Sequence, residues 1–549
     1  MPETFRPTRP MPARPLTDHW ADVYAHKILR ERPDKDGPYV CASGITPSGT
    51  IHIGNFREII SVELVVRALW DIGASVRFLY SWDDYDVFRK VPKNMPDSLA
   101  VFLRQPITQV PDVVGKTASY AEANEKELEA VLPQVGIFPE YIYQARKYQA
   151  ADYAEGMRRA LEHRQTIREY LDRHRQEPLA ADWWPLSFFC GNCRRDETTC
   201  TSWDGAWTVG YRCSHCGHAE AVDLRHTGLA KLFWRIDWPM RWAYEKVDFE
   251  PAGKDHHSEG GSFTTAKEIS QAVYDYPAPI TFQYDFVRIK GLGGKISSSS
   301  GEVLSLADVL EIYQPEIVRF LFVGTRPNSE FAISFDLDVL KIYDDFARCE
   351  RAFYQAKEAA EGGPKPAKKQ AKLKRIYELS QVDRPAEQEP FTLPFRHLCN
   401  LLQIYDGDRA AVRAFLAEEG TAVPEHSLPR FRTWAECAWN WVQKYAPEEF
   451  CFHLRRPSEP KPAVAAEMQN FLPKLREYLR QRFGAEEFDR KQFSSGFYAL
   501  MKEADLESSQ VFPQVYQLLI GRNDGPRLLG FLEAIHSAIG LDALLQLLE

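Results

Sequence analysis

The sequence predicts an α/β core built on a parallel sheet, interrupted by a small metal-binding ribbon and followed by an all-α C-terminal region. Three observations carry this expectation. Between Tyr39 and Tyr80 a β-prone run, a Gly/Pro-rich turn, a helical repeat and a second β-prone run follow one another. Mid-chain, Cys190/Cys193 and Cys213/Cys216 form two C-x-x-C pairs. Beyond residue 381, apolar residues recur at amphipathic helical spacing.

A chain of 549 residues exceeds what one core accommodates, so three or four domains are expected. With 44% hydrophobic and 26% charged residues, the composition is that of a soluble globular protein. No window approaches the ~18–20 uninterrupted apolar residues of a membrane span, and no membrane partner is expected. Residues 1–15, rich in Pro and Arg without an apolar core, read as a disordered leader rather than a secretory signal. A net charge of −9 excludes a uniformly basic nucleic-acid coat but leaves room for a local basic face. Six of the ten cysteines scatter singly, as reduced cytosolic thiols do.

The first β–α–β unit organises the rest. Tyr39-Val-Cys-Ala is the strand, and Phe56, Ile59, Ile60, Leu64 and Val65 mark the helix. After Gly73, the run Val76-Arg-Phe-Leu-Tyr is the next strand. Between strand and helix lies S-G-I-T-P-S-G-T-I-H-I-G-N-F-R-E, Ser43 to Glu58. Gly44, Gly49 and Gly54 let backbone approach a ligand, and the helix N-terminus aims N–H groups at phosphate. His52 and Asn55 add side-chain donors on the first turn. A lone G-x-x-x-x-G or a lone helix-start His is usually only structural; the compound string is much harder to reach by accident. At the end of the second strand, Asp83, Asp84 and Asp86 would gather where ligands of parallel sheets bind. They suit a cationic substrate or a metal ion, or else form a solvated acidic turn countered by Arg89-Lys90. Residues 116–180 are helix-patterned, with no chemistry assigned.

The two C-x-x-C pairs are separated by nineteen residues, and their four thiolates suit a tetrahedral Zn2+. Four protein ligands leave no open position, so the ion is expected to be structural. Disulfides are the competing reading, and Cys200, His215 and His218 lie near enough in sequence for ligand exchange. Downstream, Phe249-Glu-Pro-Ala-Gly-Lys-Asp-His-His257 crowds charge about one glycine. Gly253 is read as a tight turn, Lys254 and His256 as reaching phosphate, and Asp255 as binding ribose. Trp238 reads as a core aromatic. A strand over 279–287 then leads into Lys290-Gly-Leu-Gly-Gly-Lys-Ile-Ser-Ser-Ser-Ser-Gly301, where glycines give mobility, Lys295 a cation and Ser297 to Ser300 donors.

His52-Ile53-Gly54-Asn55 and the Lys295 loop together resemble the HIGH and KMSKS signatures of class I aminoacyl-tRNA synthetases. The strings W-D-D-Y-D, W-R-I-D-W-P, E-P-A-G-K-D-H and a near-terminal G-x-x-x-G-P-R-L narrow the resemblance to the lysyl-tRNA synthetases of that class. The resemblance implies a Rossmann-like catalytic core (16–182 and 226–303) carrying a zinc-ribbon insertion (183–225). A helical connecting segment with a basic linker (304–380) and an α-helical anticodon-binding domain (381–549) would follow. It implies ATP with Mg2+, L-lysine and tRNA(Lys) as reactants, in the cytoplasm, with the oligomeric state open and a monomer favoured. His52 and Asn55, with Ser48, Gly49 and Gly54, would hold ATP phosphates. Gly253, Asp255 and His256 would complete the nucleotide site, and Lys295, with Ser297 and Ser298, would stabilise the adenylation transition state. Glu58 would pair with the substrate ε-ammonium in a pocket formed with Trp238, Tyr284 and Asp83. Independently, a buried carboxylate one helical turn beyond His52 suits a cationic substrate. The loop departs from KMSKS at Ile296 and Ser298, and Ser300 replaces an expected lysine. A catalytically silent tRNA-binding paralogue, or a relative charging another amino acid, therefore stays open. The basic run Gly363 to Arg375 reads equally as a phosphate contact or a solvated linker.

Overall fold

Parallel pairing of β1 (Tyr39–Ile45) with β2 (Val76–Trp82), and of β2 with β3 (Glu140–Tyr143), lays down one side of the sheet. These coordinates are a computed structural model that describes residues 17–33, 35–93, 95–290, 304–359 and 368–549. The proposed leader 1–15 lies outside them, and so do Lys295, Ile296, Ser297, Ser298 and Ser300. By contacts the chain divides into two units. One comprises 1–310, 315–334 and 348–387, and the other 311–314, 335–347 and 388–549.

In the first unit, α1 (Trp20–Glu31) precedes β1, and α2 (Ile53–Asp71) joins β1 to β2. Helix α3 (Tyr120–Val131) leads to β3, followed by α4 (Gln144–Gln149), α5 (Ala154–Glu162) and α6 (Arg164–Asp172). On its other edge, β1 is flanked by the segment around Phe249. The Ala42 N–H donates to the Phe249 carbonyl at 2.8 Å, and the Asp248 N–H donates to the Val40 carbonyl at 2.8 Å. That segment in turn pairs with the chain at 280–284, through Glu250 N–H to Ile280 O at 3.0 Å and Ala252 N–H to Phe282 O at 3.1 Å. The sheet therefore runs β3-β2-β1, then the Phe249 segment, then the 280–284 segment. The chain order reverses between β1 and the Phe249 segment, the position at which α/β sheets bind ligands.

A proline opens that crevice. Pro251 has no N–H to carry the ladder past Ala42. The Gly44 N–H, next on the same edge of β1, turns instead toward Glu58 Oε1 at 3.4 Å. At the far side of β1, a Cβ on Gly44 would sit 2.7 Å from the Ser81 carbonyl oxygen, so glycine is required by close approach to β2.

The ribbon consists of β4 (Leu186–Phe188), β5 (Thr198–Trp203), β6 (Thr208–Cys213), β7 (Ala219–Asp223) and β8 (Ala230–Leu232). It pairs antiparallel as β5-β6-β7 and β4-β8. Its inward residues Phe188, Val209, Tyr211 and Leu224 share one core with Met157, Ile167, Ile236 and Ile269. Then come α7 (Trp234–Glu245), β9 (Ala252–Gly253), α8 (Lys254–His257), α9 (Ser262–Tyr274), β10 (Gln283–Tyr284) and β11 (Val287–Ile289). Helices α10 (Leu306–Leu310) and α11 (Pro315–Val323), β12 (Phe331–Ile333), α12 (Asp338–Ala359) and α13 (Lys368–Ser380) follow.

Within the basic run, Arg375 is neither a phosphate contact nor a solvated residue. It is buried, pairing with Asp22 at 2.5 Å and Asp71 at 2.6 Å, and so ties α13 to α1 and α2. A guanidinium's planar fork suits such a bridge.

From residue 388 on, the elements described are helical, ending in α14 (Phe395–Ile404) to α21 (Leu541–Leu547). The stripes Phe395/Leu398/Leu402, Trp434/Cys437/Trp441 and Val515/Leu518/Leu519 are buried, as core positions of amphipathic helices should be. No helix among the described residues is long and apolar enough to cross a membrane.

Candidate active site

The crevice between β1 and the Phe249 segment opens into a pocket lined by Ser43, Gly44, Glu58, Asp83, Trp238 and Tyr284, among others. Its rim begins at α2. His52 is the N-cap, in extended backbone at φ −88°, and its N–H donates to Asn55 Oδ1 at 3.2 Å. The His52 imidazole folds back over the first turn, where a Cβ at position 54 would lie 2.8 Å from two ring atoms. Glycine 54 is thus needed for the histidine's placement. The preceding loop is held from behind by α3. Tyr120 Oη donates to the Ser48 carbonyl at 2.9 Å, and Asn124 Nδ2 to the Pro47 carbonyl at 3.2 Å. Sequence reasoning assigned α3 no role; its contribution is to brace the turn. Ser48 itself is exposed.

Lys295 lies outside the described residues, but the chain on its C-terminal side returns to His52. The Ile53 N–H donates to the Leu304 carbonyl at 2.8 Å, and Ser305 bridges His52. On its N-terminal side, Lys290 N–H donates to the Ile333 carbonyl on β12 at 3.0 Å. Arg57, in the same string as His52, is buried and donates to the carbonyls of Phe286, Pro327 and Ser329. It therefore joins α2 to Phe286, ahead of the loop, and to the 327–329 segment beyond it.

Glu58 sits one turn inward from Asn55. Its carboxylate accepts from Ser43 Oγ at 2.8 Å, from the Gly44 N–H and, by a short contact, from Tyr284 Oη. Burial pushes its pKa above the usual range, against the lowering effect of these donors. Among the described residues its partners are hydroxyls and an amide; none is a cation.

Asp83 is placed differently. It pairs with Arg241 of α7 at 2.5 Å, and Arg241 also meets Asp237 at 3.2 Å and Ser81 Oγ at 2.9 Å. Its counter-charge is therefore Arg241 and not Arg89-Lys90. Asp84 is buried, accepts from the Ala145 N–H at 2.7 Å at the start of α4, and is pushed up to about 7 by burial. Asp86 pairs with Arg89 at 3.3 Å. The three aspartates thus serve three separate local tasks, and do not converge.

On the opposite wall, Trp234, Trp238 and Trp242 recur at i, i+4 along α7. Trp234 and Trp238 stack at 5.0 Å with 16° between planes, and His256 stands edge-on to Trp238 at 5.6 Å. Burial lowers the His256 pKa. Gly253 makes no tight turn. Its φ of −60° is open to any residue, and a Cβ there would rest 3.5 Å from the Tyr284 ring, an ordinary contact. Lys254 is engaged by Asp285 at 2.8 Å and Glu330 at 3.4 Å, while Asp255 is exposed. Sequence reasoning missed Arg241, Glu250 and Trp242. For Arg241 and Trp242 the signal available was their i, i+4 spacing from Asp237 and Trp238 of W-R-I-D-W-P; Glu250 carried no such local signal.

In the ribbon, the Sγ atoms of Cys190, Cys193, Cys213 and Cys216 all lie within 4.8 Å of one another. Cys190–Cys216 measures 3.6 Å and Cys193–Cys213 3.7 Å. Four thiolates about 2.3 Å from one tetrahedral ion would be roughly 3.8 Å apart, whereas a disulfide needs about 2.05 Å. The donor set fits a single metal ion. Cys200 lies in the hydrophobic core, His215 faces Glu197 at 3.8 Å and His218 faces Glu220 at 3.3 Å, so none of them joins the four.

A profile of the family described as tRNA synthetases class I (K) matches residues 18–383. A lysine–tRNA ligase from Treponema pallidum is 50% identical over 522 residues, covering 94% of this chain and 96% of that protein. One from Borreliella burgdorferi is 48% identical over 521 residues, covering 94% and 97%. One from Thermococcus kodakarensis is 41% identical over 527 residues, with 94% and 97% covered.

Proposed function

We propose that this chain, which belongs to the class I lysyl-tRNA synthetases, activates L-lysine with ATP to lysyl-adenylate and transfers the lysyl group to tRNA(Lys). The observation that carries the lysine assignment is Glu58, a carboxylate facing the pocket whose partners in the described residues include no cation. The substrate's ε-ammonium supplies the missing charge, and an ionised pair in so enclosed a place discriminates strongly against uncharged side chains. Tyr284 and Trp238 wall the aliphatic stem. Asp83, held by Arg241, sets the field of the pocket.

ATP, with Mg2+, occupies the rim. His52, Asn55 and the backbone of Ser48, Gly49 and Gly54 hold the phosphates at the N-terminus of α2. Gly253, Asp255 and His256 border the nucleoside. Lys295, with Ser297 and Ser298, is assigned to the pyrophosphate by resemblance. Attack of the lysine carboxylate on the α-phosphate needs positioning and charge stabilisation, with no covalent enzyme intermediate. Zn2+ in the four-cysteine ribbon is a structural brace, and the C-terminal helices read the anticodon.

ATP–pyrophosphate exchange with a panel of amino acids tests the reading. Exchange dependent on lysine alone is expected. Exchange with a different amino acid, or none with any, overturns it.

A further inference from the structure

Glu250 is a buried residue in the lining of the same pocket, beside Trp238 and Trp242. Pro251 after it biases Glu250 toward extended backbone, and its own N–H is engaged by Ile280 at 3.0 Å, so the residue is fixed in the sheet. Its two oxygens are divided between two indoles. Trp238 Nε1 donates to Oε1 at 3.0 Å and Trp242 Nε1 to Oε2 at 2.7 Å. Glu250, Trp238 and Trp242 are 9%, 5% and 1% exposed. A carboxylate accepting from both indoles also sets their rotation about the side chain, because two donors one helical turn apart must converge on one group.

The consequence falls on the face of Trp238. With its N–H committed to Glu250, the indole has no polar edge left for the pocket and can meet a ligand there only through carbon and the face that Trp234 does not cover. Trp234 packs on the same ring at 5.0 Å. A lysine side chain presents methylenes and an ammonium, both of which a ring face accepts. The acceptor at Nε1 also polarises the N–H bond and enriches the ring in negative charge, which favours a cation against its face.

On the premise that this is a lysine pocket, we propose that Glu250 is a positioning residue for lysine recognition, acting through Trp238 rather than by touching the substrate. Charge from other elements bears on it: Arg241 of α7, Glu58 of α2 and the neighbouring His256 of α8 and Tyr284 of β10.

Glu250→Gln keeps the shape but offers one acceptor in place of two. Steady-state ATP–pyrophosphate exchange should show the lysine KM raised roughly ten- to hundredfold. The ATP KM and the rate at saturating lysine should stay within about twofold, as expected of an interaction made equally in ground and transition states. Trp238→Phe removes the donor and keeps a ring. Acting through Trp238 requires that the double variant Glu250→Gln/Trp238→Phe lose much less than the sum of the singles. An unchanged lysine KM in Glu250→Gln, fully additive losses in the double variant, or equal losses in lysine and ATP affinity with a lowered melting temperature would each overturn the proposal. Absence of lysine-dependent exchange in the unaltered protein would instead sink the functional reading on which the proposal rests.

Discussion

Helix α2 carries two glutamates five residues apart, and the chain treats them in opposite ways. Glu63 is 1% exposed and meets Arg319 at 2.6 Å and Arg67 at 2.7 Å, two cations the chain itself provides. Glu58 faces a pocket and, among the described residues, has hydroxyl and amide partners only. Burying a carboxylate without a counter-charge is costly. Fold stability alone would place a cation or an apolar residue at position 58. The contrast separates a charge that serves the fold from one held ready for a cation that arrives from outside. The four thiolates of the ribbon are a third case, in which the expected cation is a metal ion.

The largest effect should follow removal of one of those thiolates. Metal binding to such sites supplies on the order of 10 kcal/mol or more, and three ligands retain only part of it. Cys213→Ser should lower the metal content from one ion per chain and melt the ribbon first, seen as loss of amide protection in β5 to β7. Retention of a full equivalent with unchanged protection would contradict a four-thiolate site. Next is Arg319→Met, which leaves Glu63 with Arg67 as its one remaining cation among the described residues. Arg319 is buried, and although burial lowers its pKa to about 10 it is charged at neutral pH. Breaking one partner of a buried pair costs about 3–5 kcal/mol, measured by denaturant unfolding, whereas Arg319→Met combined with Glu63→Gln should recover much of that loss.

Glu58→Gln should behave in the opposite sense. Stability should be equal or higher, since a carboxylate whose pKa is raised by burial disfavours the folded state as pH rises above the ordinary glutamate range. Lysine affinity should fall by about 2–5 kcal/mol, read as a raised lysine KM. The sign with pH follows from the same shift. Only ionised Glu58 pairs with an ammonium, so the lysine KM of the unaltered protein should climb as pH falls through that elevated value. The variant should lose that part of the dependence while keeping the part due to Glu250, which burial pushes up to about 7. A variant that melts lower than wild type with its lysine KM unchanged would place Glu58 with Glu63, among the fold's own charges.

Much of this was legible in the chain because short-range chemistry wrote it there. The turn from Ser43 to Glu58, the helix behind it and the paired C-x-x-C knuckles are local patterns, and each appears where expected. What escaped depended on residues far apart in sequence. Nothing near Asp83 announces Arg241, which arrives from α7 to neutralise it. Glu250 reads as one charge in a polar string, and only the register of its strand against the 280–284 segment turns it toward two tryptophans. Gly253 was misread because glycine suggests a turn, while its backbone is extended. Arg375 closed a run of cations that read equally as a phosphate contact or a solvated linker, and tertiary packing delivered it to Asp22 and Asp71 instead.

The smallest effect compares the ribbon's two knuckles. After Cys216, Gly217 has φ 74° and its N–H reaches the Cys213 carbonyl at 3.1 Å. After Cys193, Arg194 adopts the matching conformation at φ 63°, with its N–H 2.9 Å from the Cys190 carbonyl. Both turns need left-handed backbone to bring the thiolates together, and only one has the residue that adopts it freely. A side chain in that region costs about 1–2 kcal/mol, and glycine gives back part of the gain by loosening the unfolded chain. Arg194→Gly should therefore stabilise the ribbon by less than about 1 kcal/mol, and Gly217→Ala should destabilise it by about 1 kcal/mol. Amide exchange in β6 reads both. Equal responses at the two positions would mean that metal coordination, and not backbone preference, dictates the turn.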